Sequence, residues 1–293
     1  MNLLEDIKSK TAEELQAALK EWGLPAFRSR QIFRWLQQGV CSFEDMTNLP
    51  RELRERLAER FYIAGAQVAR KQVSRIDGTV KYLLRLHDGE HVECVLMEYH
   101  HGLSICISTQ VGCRMGCTFC ATGKSGYSRN LTASEILSEI QTVQKDAGRR
   151  ISNIVLMGMG EPLHNMENTV KALQILTDGD GIAISRRRVT MSTSGIAPKI
   201  LSALQQTGVR LAVSLHAPNN AIRSQIMPIN DRYPIEEVME ACRAYQNGDG
   251  SRYITFEYLL LNGVNDSLDC ARELIALMKK YQSLEAIREA SAE

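Results

Sequence analysis

Three cysteines stand close together in this sequence, Cys113, Cys117 and Cys120, with the spacing C-x3-C-x2-C. Cysteine thiolates are the usual ligands of iron–sulfur clusters, and a [4Fe–4S] cluster takes one thiolate on each iron. Because the motif supplies only three thiolates, we expect one iron with an open coordination position. Such an iron can chelate the amino and carboxylate groups of S-adenosylmethionine, and an electron from the cluster then releases a 5′-deoxyadenosyl radical.

Zinc is the alternative metal for this motif. Structural zinc sites usually have four ligands, often as paired C-x2-C units or histidines, and no fourth ligand lies nearby at such a spacing. The remaining cysteines are scattered along 293 residues, so a disulfide scaffold is not expected. They are Cys41, Cys94, Cys106, Cys242 and Cys270, and most are interpreted as buried core thiols.

Further polar segments follow apolar stretches that are typical of strands. The first is Gly158-Met159-Gly160-Glu161, whose glycines permit close backbone approach and whose glutamate can accept a hydrogen bond from the cofactor ammonium group. The alternative is a plain turn. Ser192 and Ser214 are candidates to bind the ribose or carboxylate of S-adenosylmethionine. His216 is either a buried core histidine or a cofactor contact, and its place at a strand end leaves both interpretations open.

From residue 103 onward, predicted strands alternate with predicted helices, which favours parallel strands with helical crossovers in a barrel or an open α/β sheet. The strands are expected at 103–109, 151–160, 187–195, 209–217 and 253–261. The helices are expected at about 132–147, 166–177, 197–207 and 235–246, and from about 267. Active residues gather at the carboxyl ends of such strands, so the cysteine motif and the polar segments should meet at one mouth.

The part of the chain before this alternation has a different pattern. Thr11 and Glu14 form a capping box before a helix, and a second helix is predicted from Pro50. We therefore expect residues 1–75 to form a small helical N-terminal domain. Asp77-Gly78 and Asp88-Gly89 bracket one apolar segment and a second follows, which predicts a β-hairpin connector at 76–100.

Charge and composition limit the class of protein. The net charge is +1, which excludes a simple polycation, but ten Lys or Arg against five Asp or Glu lie in the segment 22–76. This basic segment either binds RNA phosphates, with Arg28, Arg30 and Arg34 as candidates, or is an ordinary solvated helix face. No uncharged apolar run has the length of a membrane span, and the N-terminus does not resemble a signal peptide. We therefore expect a cytoplasmic protein with no membrane partner.

These segments together resemble the RlmN/Cfr family of radical S-adenosylmethionine RNA methyltransferases. The matching blocks, in order along the chain, are QVGCRMGCTFCATG, RNLT, NIVLMGMGEPLHN, STSGI, SLHAPN, MPIND and GVND. The resemblance implies an α/β fold, a partial (β/α) radical-SAM barrel with a small helical N-terminal domain. It also implies a [4Fe–4S] cluster and S-adenosylmethionine as cofactors, an electron donor such as flavodoxin, and a monomeric enzyme.

The resemblance further implies methylation of a ring carbon of adenine in RNA. The RlmN branch, which this chain resembles most, methylates carbon 2 in 23S rRNA and tRNA, whereas the Cfr branch methylates carbon 8. In the family mechanism one cofactor methylates a C-terminal cysteine, and a second yields the radical that abstracts hydrogen from this S-methyl group. The methylene radical adds to adenine, a base removes the ring proton, and a second cysteine displaces the first through a disulfide.

Site residues follow from the resemblance position by position. The base matches Glu93, and the resolving cysteine matches Cys106. The cluster ligands match Cys113, Cys117 and Cys120, and the cofactor contacts match Gly160, Glu161, Ser192, Ser214 and His216. Without the resemblance, Glu93 is interpreted as an exposed strand carboxylate and Cys106 as a buried strand thiol.

The resemblance ends near Tyr281, after which the sequence continues as SLEAIREASAE. We expect a radical-SAM core at 101–282 with five barrel strands, where the family has six, and a non-family tail at 283–293. Because the tail contains no cysteine, we expect a C-terminally truncated chain without the methyl-carrying cysteine that full methyl transfer needs. Two other functions stay open: a radical reaction on a small substrate, which needs neither Glu93 nor Cys106, and an inactive RNA-binding remnant.

Overall fold

The computed structural model describes residues 4–247 and 253–281. The strands are β1 (Glu5–Asp6), β2 (Phe61–Tyr62), β3 (Gln67–Val73), β4 (Val80–Arg85), β5 (His91–Tyr99), β6 (Gly102–Cys106), β7 (Gln110–Gly112), β8 (Tyr127–Asn130), β9 (Ile151–Leu156), β10 (Val189–Thr193), β11 (Arg210–Ser214) and β12 (Ile254–Glu257). The helices are α1 (Ala12–Lys20), α2 (Ala26–Gln37), α3 (Arg51–Arg60), α4 (Ala121–Lys124), α5 (Ala133–Ala147), α6 (Met166–Thr177), α7 (Ala197–Thr207), α8 (Asn220–Ile226), α9 (Ile235–Asn247) and α10 (Leu268–Tyr281). None of the helices in these ranges is both long and apolar enough to cross a membrane.

Eight strands form the central sheet, in the order β12-β11-β10-β9-β6-β5-β4-β3. Strands β6, β9, β10, β11 and β12 are parallel, and β5, β4 and β3 extend the sheet from β6 in antiparallel fashion. The predicted alternation of strands and helices is therefore confirmed, and the fold is α/β. Within the described residues β3 and β12 each have a neighbour on one side only, so the sheet is an open, partial barrel.

The two faces of the sheet differ because side chains alternate along each strand. Ile105 pairs in register with Ile154, and Met191 pairs with Leu211. All four side chains are fully buried and form part of the main hydrophobic core. Helices α5, α6, α7 and α9 pack side by side and contribute buried apolar residues to the same core. The opposite face carries a second register row that contains Cys106, and this face is the inner side of the open barrel.

The N-terminal helices follow the predicted signals only in part. The Thr11 hydroxyl accepts from the Glu14 amide and the Glu14 carboxylate accepts from the Thr11 amide, as a capping box requires. Helix α3 begins directly after Pro50. Strand β3, however, lies inside the segment predicted to be helical. All of its side chains are exposed, so its sequence has no buried alternation that would predict a strand.

A buried lysine joins the N-terminal segment to the barrel. The ammonium group of Lys8 donates to the carbonyl oxygen of Ala64 at 3.1 Å and to the Ser138 hydroxyl on α5 at 2.6 Å. Burial lowers the pKa of Lys8 to about 8. In the unfolded chain Lys8 keeps its proton up to its ordinary pKa near 10.4. The buried charge therefore destabilises the folded state below pH 8, and this destabilisation decreases as the pH rises.

We expect this effect to appear as a pH-dependent difference in unfolding free energy between the wild-type chain and Lys8→Met. Between pH 7 and pH 10 the unfolding free energy of the wild type should rise by about 2 kcal/mol relative to the variant. Urea unfolding of both chains at each pH measures the difference. Lys20→Met, on the exposed side of α1, is the control. Its unfolding free energy should change with pH as that of the wild type does. A constant gap between wild type and Lys8→Met would contradict the pKa assigned to Lys8.

Candidate active site

The loop with the three clustered cysteines is held at both of its ends. Strands β7 and β8 pair below it, and the Cys113 amide donates to the carbonyl oxygen of Gly126 at 2.8 Å. Gly112 precedes the motif with a φ of +77°, and a Cβ at this position would overlap the backbone of Gly126. At the far side, the Thr118 amide donates to the carbonyl oxygen of Ile226 on α8 at 3.0 Å. The loop is therefore fixed between a small hairpin and a helix.

One cavity beside this loop brings together the predicted cluster and cofactor residues. It measures about 210 Å³ and lies at the carboxyl ends of β9, β10, β11 and β12. Its lining includes Cys113, Cys117, Cys120, Gly160, Glu161, Ser192, Ser214 and His216. Segments that are up to about a hundred residues apart in the sequence thus meet at one mouth, as the rule for parallel strands predicts.

The thiols of the cavity suit a multi-iron centre. Burial, followed by the charges of Cys113 and Cys120, raises the pKa of Cys117 to about 12. Burial also raises the pKa of Cys113. Both effects oppose the thiolate form, which therefore needs a bound cationic centre. Among residues 4–247 and 253–281, no three His, Cys, Asp or Glu side chains converge on a single-ion site. A cluster that takes each thiolate on a different iron does not require such convergence.

Glu161 connects the loops after β9 and β10. Its side chain is buried, and one carboxylate oxygen accepts from the Leu163 amide at 3.0 Å and the Thr193 hydroxyl at 2.9 Å. The other accepts from the amide and hydroxyl of Ser194 at 2.7 and 2.8 Å. Four donors of the chain itself thus occupy the carboxylate, which offers about four acceptor positions in all. The structure gives Glu161 a positioning role between the two loops.

The glycines of the segment after β9 are required by its close approach to the chain after β6. A Cβ at Gly158 would meet the Ile107 carbonyl oxygen at 2.7 Å, and one at Gly160 would meet the Gln110 side chain at 2.5 Å. Gly160 also has a φ of +96°, which favours glycine. The Met159 carbonyl oxygen accepts from the amides of Thr109 and Gln110, so the two segments form one rigid rim of the cavity.

His216 is held in an unusual backbone conformation with a φ of +54°, which non-glycine residues seldom adopt. Its Nδ1 accepts from the Leu259 amide at 3.0 Å, and its carbonyl oxygen accepts from the Asn265 side chain at 2.7 Å. Burial, followed by the charge of Arg223, lowers the pKa of His216 to about 4. The ring is therefore neutral near pH 7, and because Nδ1 is an acceptor, Nε2 carries the proton and is a donor.

Glu93 and Cys106 lie outside this cavity, on the inner face of the open barrel. Cys106 pairs in register with Val95, two residues from Glu93, so the two side chains are diagonal neighbours on one face. The Glu93 carboxylate forms an ion pair with Lys81 at 2.7 Å. Burial raises the pKa of Cys106 to about 11. The structure thus brings this predicted pair together at the wall of the barrel.

Two residues near the cavity were not singled out from the sequence. Glu257 ends β12 and lines the cavity, with its carboxylate 3.4 Å from the Ser214 hydroxyl, and burial raises its pKa. The rule that sites form at carboxyl ends of strands missed it, because the predicted strand 253–261 extends past the observed end of β12 at Glu257. Arg223 is buried on α8 beneath the cavity, and no local sequence signal points to it.

A larger concave surface lies elsewhere on the molecule. A groove of about 1080 Å³ runs between α2 and α5, and Arg34, Lys145, Arg149 and Arg150 are among its lining residues. Arg34 is paired there with Asp180 at 2.6 Å. Because this groove holds none of the clustered cysteines, the smaller cavity is the one with the chemistry of an active site.

The cavity and the fold agree with the comparisons to known proteins. A family model described as the radical SAM superfamily matches residues 107–275. A radical SAM methyltransferase from Sphaerobacter thermophilus, of known structure, superimposes with a TM-score of 0.86 at 44% identity, covering 94% of this chain and 82% of that one. The protein is therefore a radical SAM enzyme, and members of this superfamily use a [4Fe–4S] cluster and S-adenosylmethionine.

The N-terminal part of the chain shows which family within the radical SAM superfamily the protein belongs to. A family model described as the ribosomal RNA large subunit methyltransferase N-terminal domain matches residues 2–63. Two curated relatives, from Alkaliphilus oremlandii and Lachnoclostridium phytofermentans, are each named probable dual-specificity RNA methyltransferase RlmN and are 50% identical. Each alignment covers 94% of this chain, with 80% and 77% of the respective relative. The chain belongs to the RlmN family of radical SAM RNA methyltransferases.

Proposed function

We propose that this protein methylates carbon 2 of adenine in 23S rRNA and tRNA. The observation that carries the proposal is the single cavity in which three cysteines and all five predicted cofactor-contact residues meet. The dual-specificity names of the relatives support the two RNA substrates, and carbon 2 follows from the greater likeness to the RlmN branch. We further propose that an electron donor such as flavodoxin reduces the cluster and that the protein is a monomer.

The cavity residues have separate tasks in this proposal. Cys113, Cys117 and Cys120 would hold the [4Fe–4S] cluster, which supplies the electron that cleaves S-adenosylmethionine to the 5′-deoxyadenosyl radical. The backbone at Gly160, the hydroxyls of Ser192 and Ser214, and the Nε2–H of His216 would orient the cofactor. Glu161 holds the loops that present Gly160 and Ser194 at fixed positions.

Glu93 and Cys106 would act on the adenine. Glu93 would take the ring proton as a general base, and its backbone is fixed because its carbonyl oxygen accepts from the Ser108 hydroxyl at 2.7 Å. The Glu93 carboxylate is held in an ion pair with Lys81, and this ion pair must open when the ring proton is transferred. Cys106 would release the product as the resolving thiol. Its raised pKa keeps it protonated until a base removes its proton.

RNA would approach from the open face of the barrel, because an adenine must leave its base stack to reach the mouth. Arg28, Arg30 and Arg34 on α2 are proposed to contact RNA phosphates. The proposed domains are the N-terminal domain at 1–75, the hairpin connector at 76–100 and the radical-SAM core at 101–282. The predicted tail at 283–293 and the predicted loss of the methyl-carrying cysteine concern residues outside the described part of the chain.

Anaerobically reconstituted full chain, supplied with dithionite and S-adenosylmethionine, provides the test. With a 23S rRNA fragment or tRNA we expect 5′-deoxyadenosine together with 2-methyladenosine in the digested RNA, both measured by mass spectrometry. Detection of 8-methyladenosine instead would show that the enzyme methylates carbon 8, as the Cfr branch does, and would contradict the proposal of carbon 2. Deoxyadenosine without methylated RNA would contradict complete methyl transfer by this chain.

A further inference from the structure

Arg223 on α8 is fully buried beneath the cavity. Its guanidinium group donates from Nε to the Leu215 carbonyl oxygen at 3.1 Å, and from Nη2 to the carbonyl oxygens of Ser194 and Ser214 at 2.6 and 3.0 Å. Nη1 donates to Oδ1 of Asn230 at 3.1 Å. The side chain therefore ties together the ends of β10 and β11, the two strands that present Ser192 and Ser214 to the cavity.

Every acceptor of this guanidinium is neutral. In the described part of the chain, no carboxylate lies within ion-pair distance of Arg223, and Glu161 joins the same network only through Ser194. Burial lowers the pKa of Arg223 to about 10, so it is still protonated near pH 7. A buried charge without a counter-ion destabilises the folded protein, and hydrogen bonds to neutral groups offset only part of that effect.

The loop with the three clustered cysteines packs against α8. The Thr118 amide donates to the Ile226 carbonyl oxygen on α8 at 3.0 Å, and the charge of Cys117 raises the pKa of Arg223, against the larger lowering by burial. Cys117 also packs against the apolar cluster of Ala217, Ile226 and Met227. A positive charge is thus buried on the helix against which the cysteine loop packs.

We infer that Arg223 is a fixed positive charge that balances the anionic cluster of Cys113, Cys117 and Cys120 and favours its reduced state. The inference rests on the proposed role of these cysteines. Reduction adds one electron and no proton, so the centre gains one negative charge while the guanidinium stays protonated. The attraction between the two is therefore larger after reduction than before it, and net charge near a cluster is one of the determinants of its potential.

Asn230→Asp tests the charge without removing the arginine. The new carboxylate would replace an amide oxygen 3.1 Å from Nη1 and neutralise the guanidinium in place. We expect the equilibrium constant for reduction to fall about tenfold, a shift of about 59 mV for a one-electron couple. A dithionite titration followed by electron paramagnetic resonance measures it. Arg223→Gln should shift the equilibrium in the same direction, whereas Arg223→Lys, which keeps the charge, should stay within threefold of wild type.

Arg232→Gln is the matched control, because Arg232 is an exposed arginine near the start of α9. The reduction potential of the cluster in this variant should equal that of the wild type. An Asn230→Asp chain that keeps the wild-type potential while its cluster is intact would overturn the inference alone. Equal shifts in Arg223→Lys and Arg223→Gln would also overturn it, since they would show a structural effect. A wild-type chain that takes up no iron would overturn the cysteine assignment itself. If Arg223→Gln fails to fold, Asn230→Asp still decides the question.

Discussion

Cys117→Ala is expected to lose the cluster and, with it, all cleavage of S-adenosylmethionine. Three thiols in one cavity leave no spare ligand, and Cys117 is the central one of the motif. Removing it leaves two thiolates for four irons, fewer than the three that keep such a cluster bound. Iron and sulfide per chain after reconstitution, the broad visible absorbance of the cluster, and 5′-deoxyadenosine formation should all fall to background.

Cys41→Ala and Cys242→Ala are the matched controls for this prediction. Cys41 is exposed near the end of α2, and Cys242 is buried on α9, so neither lines the cavity and both variants should keep the full iron content. Cluster absorbance retained by Cys117→Ala would show that a different set of ligands binds the iron. Iron lost equally from all three variants would mean that the assay reports general instability of the protein.

Glu161→Ala is expected to destabilise the protein before any cofactor binds. The substitution leaves four buried donors without an acceptor, two amides and two hydroxyls. Each unsatisfied buried donor costs about 1–3 kcal/mol, and partial entry of water reduces the sum. A loss of about 3–5 kcal/mol is therefore expected, a large share of the 5–15 kcal/mol typical of a folded protein. Urea unfolding of the cluster-free chain measures it.

Two further variants separate this effect from a general effect of charge. Glu161→Gln keeps one acceptor oxygen but turns an amide towards the donors, so its loss should approach that of alanine. Glu167→Ala, on the exposed side of α6, removes the same charge without any buried partner and should change the unfolding free energy by less than about 0.5 kcal/mol. A Glu161→Ala chain as stable as wild type would disprove the positioning role derived from the hydrogen bonds.

The parallel half of the fold is predictable because its strands are buried on the sheet interior and its helices have one apolar side. Apolar runs such as the one ending at Leu156 and capped helices such as α5 carry that information locally. Strand β3 and helix α2 were not predicted individually, for a shared reason. The strand exposes every side chain, and α2 begins at Ala26 after Pro25, which provides no side-chain cap, so neither carries a clear local signal.

The candidate site was predictable as far as its residues stand at strand ends. The three cysteines and Ser192, Ser214 and His216 share that position, and their meeting in one cavity follows from topology alone. Partnerships over long distances could not be predicted in this way. The four donors on Glu161, the ion pair of Glu93 with Lys81, and the placement of Arg223 under the cavity depend on contacts between segments, which local patterns do not record.

The order of the sheet also determines how the thiols are protected during synthesis. The cysteine loop leaves the ribosome after β6 but before β9, β10, β11 and β12, whose ends supply most of the remaining cavity wall. The antiparallel neighbours β3 to β6 are adjacent in sequence and can pair early, whereas the parallel strands must wait for their helical crossovers. The nascent chain therefore leaves the three thiols without most of this cavity wall until β12 has been added.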